Sequence, residues 1–334
     1  MLKIVENELA IRRYERQLVR ALKPLTSETI TVKLGHPGKS EPAKVAWSSR
    51  LGIWFFSRKV EELRYWHAFG IGRPEGESTV TITCEINFPL CGIDRRTGGA
   101  FAEDGRGRVF VIHRGKLGGG RKGVGKFLFE NRYRGVWEIV DDGGEQTPVA
   151  VVAVLGSPRF ARQVVQFVRK IALLKEGAVE RATAQTEMAF AEPAVHEEFI
   201  GDPFPAGALE IGAGCDRGLV IEDLSAALVR SGLQVGNDRQ WDLAASDKKG
   251  TIRAVFRILD EMALTDLQAG AMQLLLNGLD LPGEPRLILL SPAAAEPALR
   301  EKLKRLGIDF LEYGWREDRA VFPELNPLLQ QIPS

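Results

Sequence analysis

The chain has 334 residues, of which 44% are hydrophobic and 27% are charged, the composition and length of a globular protein with two domains. It contains no apolar run of about 18 residues or more, which excludes a membrane-spanning helix. Its three cysteines cannot build a disulfide framework and its first residues lack an apolar signal segment, so we expect a cytoplasmic protein. The net charge of +1 argues by itself against a nucleic-acid-binding protein.

The N-terminal part is predicted to be mostly β, with flanking helices. An amphipathic helix over Glu6–Leu22 carries four arginines and ends before Pro24. A second helix runs from about Ser157 to Lys175. Between the helices, β-branched and aromatic runs predict seven strands: Thr29–Leu34, Val45–Trp47, Ile53–Phe56, Val80–Ile86, Val109–His113, Val136–Val140 and Val149–Val154. These elements define a basic, β-rich domain over 1–178.

A linker is predicted over 179–212, because this stretch contains several prolines and no sustained hydrophobic period. The C-terminal part, 213–330, alternates strands with helices and predicts an α/β domain around a central mixed sheet. Its predicted elements are the helix Arg217–Ser231, strands Leu233–Val235 and Asp242–Ala245, a turn at Asp247–Gly250, strand Ile252–Leu259, helix Thr265–Leu276, strand Arg286–Leu290, helix Ala295–Leu306 and strand Asp309–Tyr313.

This order of elements from about Asp216 to Phe322, with Asp242 at the start of the second strand, resembles the restriction-endonuclease-like, PD-(D/E)XK nuclease superfamily. The resemblance implies that Asp242 is a metal ligand and that Gln273, on the following helix, borders the site. In that family a Glu-x-Lys or Asp-x-Lys on the third strand supplies a second acid and a lysine that orients water around Mg²⁺ or Mn²⁺.

The third strand departs from the family pattern. Arg257-Ile258-Leu259 occupies the Glu-x-Lys position, so a cation replaces the second acid. Because a positive charge repels a divalent ion, we expect a degenerate nuclease domain with no metal cofactor. The alternative is an active Mg²⁺- or Mn²⁺-dependent endonuclease that uses Asp242 with a displaced acid, Glu261 or Asp260.

A glycine-rich, basic segment in the N-terminal domain is predicted to bind phosphate. Gly120-x-x-x-x-Gly125-Lys126 nearly matches a Walker A loop, but Phe127 stands where a Ser or Thr must hold Mg²⁺. Backbone amides of glycines and the surrounding cations suit the phosphates of a nucleic-acid backbone without nucleotide hydrolysis. The candidate phosphate-binding residues are Arg95, Arg96, His113, Arg114, Lys116, Arg121, Lys122 and Lys126.

The neutral net charge is a cancellation between two halves. Residues 1–178 carry 30 basic and 19 acidic residues, a balance of +11, whereas residues 179–334 carry 15 and 25, a balance of −10. The basic half therefore predicts a nucleic-acid partner. Together with the nuclease resemblance, we expect DNA in preference to RNA. The resemblance adds a role in a restriction, defence or repair system. A third hypothesis is a protein-interaction or self-associating subunit that binds no nucleic acid.

Overall fold

The computed structural model describes residues 1–36, 39–117, 125–183, 211–237 and 241–330. The chain divides into two compact units. The first contains the described residues up to Thr183 and the helical turn Ile211–Cys215, and the second contains the described residues from Asp216 onward. In the described part of the chain, no helix is long and apolar enough to cross a membrane.

The chain is a mixed α+β protein. The helices of the described residues are α1 (Glu8–Leu22), α2 (Lys126–Arg132), α3 (Phe160–Thr183), α4 (Ile211–Arg230), α5 (Leu264–Gly278), α6 (Pro297–Arg305) and α7 (Leu325–Leu329). The strands of the first unit are β1 (Leu2–Ile4), β2 (Glu28–His36), β3 (Lys39–Ser48), β4 (Ile53–Val60), β5 (Arg64–Ile71), β6 (Cys84–Glu85), β7 (Phe88–Pro89), β8 (Gly99–Glu103), β9 (Val109–His113), β10 (Trp137–Asp141) and β11 (Gln146–Leu155). Those of the second unit are β12 (Gln234–Gly236), β13 (Leu243–Ser246), β14 (Ile252–Ile258), β15 (Arg286–Ser291), β16 (Ile308–Glu312), β17 (Gly314–Arg316) and β18 (Arg319–Val321).

The first unit has two sheets. Strands β1, β10, β11, β9 and β8 form a closed five-stranded sheet, and β2 to β6 form an open sheet with β7 beside β5. The main apolar core of the unit includes residues of α1 and α3 together with residues of both sheets. A separate core lines the closed sheet and includes Leu2, Phe110 and Val140.

Helix α1 is defined by its cap and its apolar stripe. The Asn7 side chain accepts a hydrogen bond from the Ala10 amide over 3.0 Å, which satisfies one of the free N–H groups of the first turn. The buried residues of the helix recur at helical spacing: Ile11, Tyr14, Leu18 and Leu22. A 3₁₀ turn with Pro24 follows at once. The predicted N-terminal helix is thus confirmed, and its arginines lie on the face opposite the core.

The second unit is built around the mixed sheet β12-β13-β14-β15-β16. The first three strands are antiparallel neighbours, whereas β14, β15 and β16 are parallel and are connected through α5 and α6. The predicted turn is confirmed, because the Gly250 amide donates to Asp247 and Gly250 has a φ of +82°. Leu243, Phe256 and Leu290 lie in one apolar layer of this sheet, and Val255, Leu289 and Phe310 lie in another.

Some predicted strands of the first unit are wrong. At the ends of the predicted linker 179–212, α3 continues to Thr183 and α4 begins at Ile211, and the residues between them lie outside the described part. The predicted strand Val80–Ile86 is reduced to the two residues of β6. Strand β5 was not predicted, because it is buried on both faces and shows no alternation of apolar and polar residues.

Candidate functional site

Asp242 lies directly before β13, in the second unit, and its side chain is only 8% exposed. Three groups from two other elements hold its carboxylate. Arg217, from α4, donates from Nη2 to Oδ1 over 2.7 Å and to Oδ2 over 2.9 Å. Arg257, from β14, donates from Nη1 to Oδ1 over 3.3 Å, and the amide of Ile258 donates to Oδ2 over 2.7 Å. Both carboxylate oxygens therefore accept two hydrogen bonds.

Arg217 also contacts a second acid. Its Nη1 lies 3.4 Å from Oδ2 of Asp260, so one guanidinium sits between two carboxylates. The other oxygen of Asp260, Oδ1, is buried and has no hydrogen-bond partner among the described residues. We call Arg217, Asp242, Arg257 and Asp260 the arginine–aspartate cluster.

The pKa values of the two acids of the arginine–aspartate cluster are shifted in opposite directions. Burial opposes ionisation of Asp242, but the charges of Arg217 and Arg257 and the Ile258 amide outweigh it, so its pKa lies below the ordinary value. Burial raises the pKa of Asp260, and Arg217 only partly offsets this. Asp242 is thus held as an anion, and its negative charge is already compensated.

These residues do not fit a divalent cation. The oxygens of Asp242 are occupied by N–H donors, and Arg217 lies between the two carboxylates that would have to share the ion. Repulsion between two unit charges about 4 Å apart amounts to about 4 kcal/mol even in a polar protein environment, and a divalent ion would face two guanidiniums. Within the described residues, no group of three His, Cys, Asp or Glu side chains could hold a metal ion.

The other two predicted catalytic residues lie outside the arginine–aspartate cluster. Glu261 is partly buried beyond the end of β14, and Gln273 is exposed on α5. The face of α5 that packs on the sheet includes Gly270, where an added Cβ would lie 3.0 Å from Leu259 Cδ2. Among the described contacts, neither Glu261 nor Gln273 touches Asp242. The structure therefore brings Asp242 together with Asp260, but not with Glu261 or Gln273.

Two of the predicted phosphate-binding residues lie in the interior. His113 has no solvent exposure; its Nε2 lies 3.2 Å from the Glu85 carbonyl, and its Nδ1 accepts from the Gly115 amide over 3.0 Å. This pattern places the proton of a neutral ring on Nε2, and burial lowers the pKa of His113 to about 4. Arg114 donates to both oxygens of the buried Asp142 over 3.1 and 3.0 Å. Both side chains are packed structural groups, so we exclude them from the candidate interface.

The remaining predicted cations lie at the surface beside acceptors. Arg95 contacts Glu145 over 2.9 Å, and Arg96, which is 91% exposed, contacts Asp94 over 3.0 Å. Lys126 pairs with Glu130 one helical turn away over 3.3 Å. Lys116 is exposed and donates to the carbonyl of Arg95. Arg121 and Lys122 lie outside the described residues.

Helix α1 presents a basic surface that was not among the predicted phosphate-binding residues. Arg12, Arg13, Arg16 and Arg20 are all exposed. Three of them recur every fourth residue, a spacing that aligns side chains on one face of a helix. The spacing of these arginines can be seen in the sequence. The predicted phosphate-binding residues nevertheless came from the glycine-rich segment, which has the higher local positive charge.

Comparison with known proteins identifies no family. No family model, no curated protein and no solved structure matches the chain. The resemblance to the restriction-endonuclease-like superfamily therefore rests on the order of elements in the second unit and on the position of Asp242.

Proposed function

We propose that the chain is a nucleic-acid-binding protein whose second unit is a restriction-endonuclease-like domain without a catalytic metal site. One observation supports the absence of a catalytic metal site. Arg217 and Arg257 donate hydrogen bonds to the carboxylate of Asp242, where a nuclease of that family would hold its metal ion. In this role the protein would be a recognition or architectural subunit of a restriction, defence or repair system.

The order of elements supports the nuclease-like description. Helix α4 is followed by three antiparallel strands, then by α5, β15, α6 and β16, with β14, β15 and β16 parallel. Asp242 lies directly before the middle antiparallel strand, and Arg257 lies on the next strand. This is the arrangement that the resemblance implies, with an arginine in place of the second acid.

The charge distribution supports the nucleic-acid half of the proposal. The balance of +11 lies in residues 1–178, so the first unit is the part that would contact a polyanion. The acidic second half would contribute little electrostatic affinity of its own. Binding of this kind is driven by release of counterions and weakens steeply as salt rises.

Two measurements on the full chain test the proposal. Fluorescence anisotropy with a labelled DNA duplex should show binding whose affinity falls as salt rises, with a slope of about −0.9 for each phosphate contacted. Supercoiled plasmid incubated with the chain and Mg²⁺ or Mn²⁺ should remain intact. Absence of binding at low salt would contradict the nucleic-acid half. Metal-dependent cleavage that Asp242→Ala abolishes would instead establish the active endonuclease.

A further inference from the structure

The exposed side of α1 carries a stripe of arginines that form no direct ion pair with the described acids. Arg12, Arg16 and Arg20 are exposed, and among the described residues none of the three has a carboxylate within ion-pair distance. Arg13 flanks the stripe and lies over the Tyr14 ring at 4.6 Å. By contrast, Arg95, Arg96 and Lys126, cited above, each contact an acid. The α1 stripe therefore presents three cations to solvent without a direct ion pair, although the charge of Glu15 acts on Arg16 at longer range.

The helix holds these charges in a regular array. Four residues of α-helix rise about 6 Å, so Arg12, Arg16 and Arg20 span about 12 Å along one side. One strand of a DNA duplex carries a phosphate about every 3.4 Å along its axis, so the stripe covers a run of about three or four phosphates. The four residues of the opposite face are buried in the core of the first unit: Ile11, Tyr14, Leu18 and Leu22.

The acids of α1 do not interrupt the stripe. Glu8 lies in the first turn, before the first arginine, and Glu15 is partly buried toward the core side, where it lies 3.7 Å from His67 Nε2. Guanidinium groups suit phosphate because their N–H donors match its oxygens in pairs.

We infer that Arg12, Arg16 and Arg20 of α1 are the principal contacts to a phosphodiester backbone, which the chain would bind without reading base sequence. The inference rests on the proposed nucleic-acid-binding function and assigns it to one helix face. Phosphate contacts position a protein on nucleic acid but carry no sequence information, so affinity for duplexes of different sequence should be similar.

The experiment measures anisotropy of a labelled DNA duplex and of a labelled single-stranded RNA across a salt series. The triple variant Arg12→Gln/Arg16→Gln/Arg20→Gln keeps good helix-forming residues on an exposed face, so the fold should persist. For the bound nucleic acid, we expect affinity to fall roughly tenfold or more and the magnitude of the salt slope to fall by about 3. The difference in affinity between the DNA duplex and the RNA shows which polymer supplies the phosphodiester backbone.

A matched control removes the same charge from the same unit. Lys33, Lys44 and Arg106 are exposed on other elements of the first unit. The variant Lys33→Gln/Lys44→Gln/Arg106→Gln should change affinity by less than roughly threefold and leave the salt slope nearly intact. Circular dichroism of both variants establishes that helix content is retained.

The outcomes separate this inference from the proposed function. If the unmodified chain binds neither polymer at low salt, the proposed function itself fails. If the chain binds but the α1 variant binds equally well, only the assignment to α1 fails. Equal loss in the α1 variant and the control would also overturn the assignment, because it would show that total charge, not the stripe, determines affinity.

Discussion

Arg217 donates from a single nitrogen to both carboxylate oxygens of Asp242, over 2.7 and 2.9 Å. The side chains are 17% and 8% exposed, so each charge depends on the other for compensation in place of water. Removal of one member of such a pair leaves an uncompensated buried charge. The arginine–aspartate cluster thus joins α4 to β13 and β14 and acts as a structural centre of the second unit.

Asp242→Asn should destabilise the second unit strongly. The amide has no negative charge to offset Arg217 and Arg257, and loss of one member of a buried pair costs about 3–5 kcal/mol. Hydrogen exchange followed by mass spectrometry should show faster exchange in β13 and β14. The control Asp280→Asn alters an exposed acid of the same unit and should change stability by less than about 0.5 kcal/mol. Equal protection in both variants would contradict the structural role of Asp242.

Removal of the two arginines should create affinity for a metal ion. In Arg217→Ser/Arg257→Glu, Asp242 and Asp260 lose the guanidinium between them, and a third acid enters at the third strand. Carboxylate oxygens are the ligands that Mg²⁺ and Mn²⁺ prefer. Isothermal titration with Mn²⁺ should give a saturable signal for this variant and none for the unmodified chain. A signal from the unmodified chain would show that the arginines do not block the site.

The sequence predicted α1, β9 and the elements of the second unit from β12 to β16 well, because most of them have a clear hydrophobic pattern. It missed β17, β18 and α7, and it began α4 at Arg217 instead of Ile211. It placed Arg257 on the strand after the one predicted to begin at Asp242, and the structure shows the Arg257 guanidinium 3.3 Å from the Asp242 carboxylate. It did not predict Arg217, which lies 25 residues before Asp242 and reaches it only through the packing of α4 on the sheet. Nor could the sequence show that His113 and Arg114 are buried. Burial of residues at the end of a strand depends on which distant parts of the chain pack over them.

Gly70→Ala should destabilise the open sheet of the first unit. Gly70 lies opposite Trp54 on the neighbouring strand, and an added Cβ would lie 2.3 Å from the buried indole ring. Overpacking of this kind costs about 1–3 kcal/mol. Gly76→Ala is the matched control, since a Cβ there meets open space. Urea unfolding monitored by tryptophan fluorescence should show a lower midpoint for Gly70→Ala alone; identical midpoints would contradict the close packing of Trp54 over Gly70.

The stability of the first unit should fall as the pH drops below about 6.5, the ordinary pKa of histidine. Burial lowers the pKa of His67 to about 3 and that of His113 to about 4. Between these values and about 6.5 the unfolded chain binds protons that the folded chain does not, so each histidine lowers the free energy of unfolding by about 1.4 kcal/mol per pH unit. Above about pH 6.5 both states hold neutral rings, and this contribution to the pH dependence vanishes.

Nuclear magnetic resonance can follow the two rings directly. The Cε1 proton shifts of His67 and His113 should stay constant from about pH 8 to about pH 5.5, since both rings remain neutral there. Urea unfolding over the same range should show the midpoint decreasing only on the acidic side. A ring that titrates near its ordinary value in the folded protein would mean that it reaches solvent. For His113 that result would restore it as a candidate phosphate contact, because a ring that reaches solvent could carry a positive charge and donate from both nitrogens.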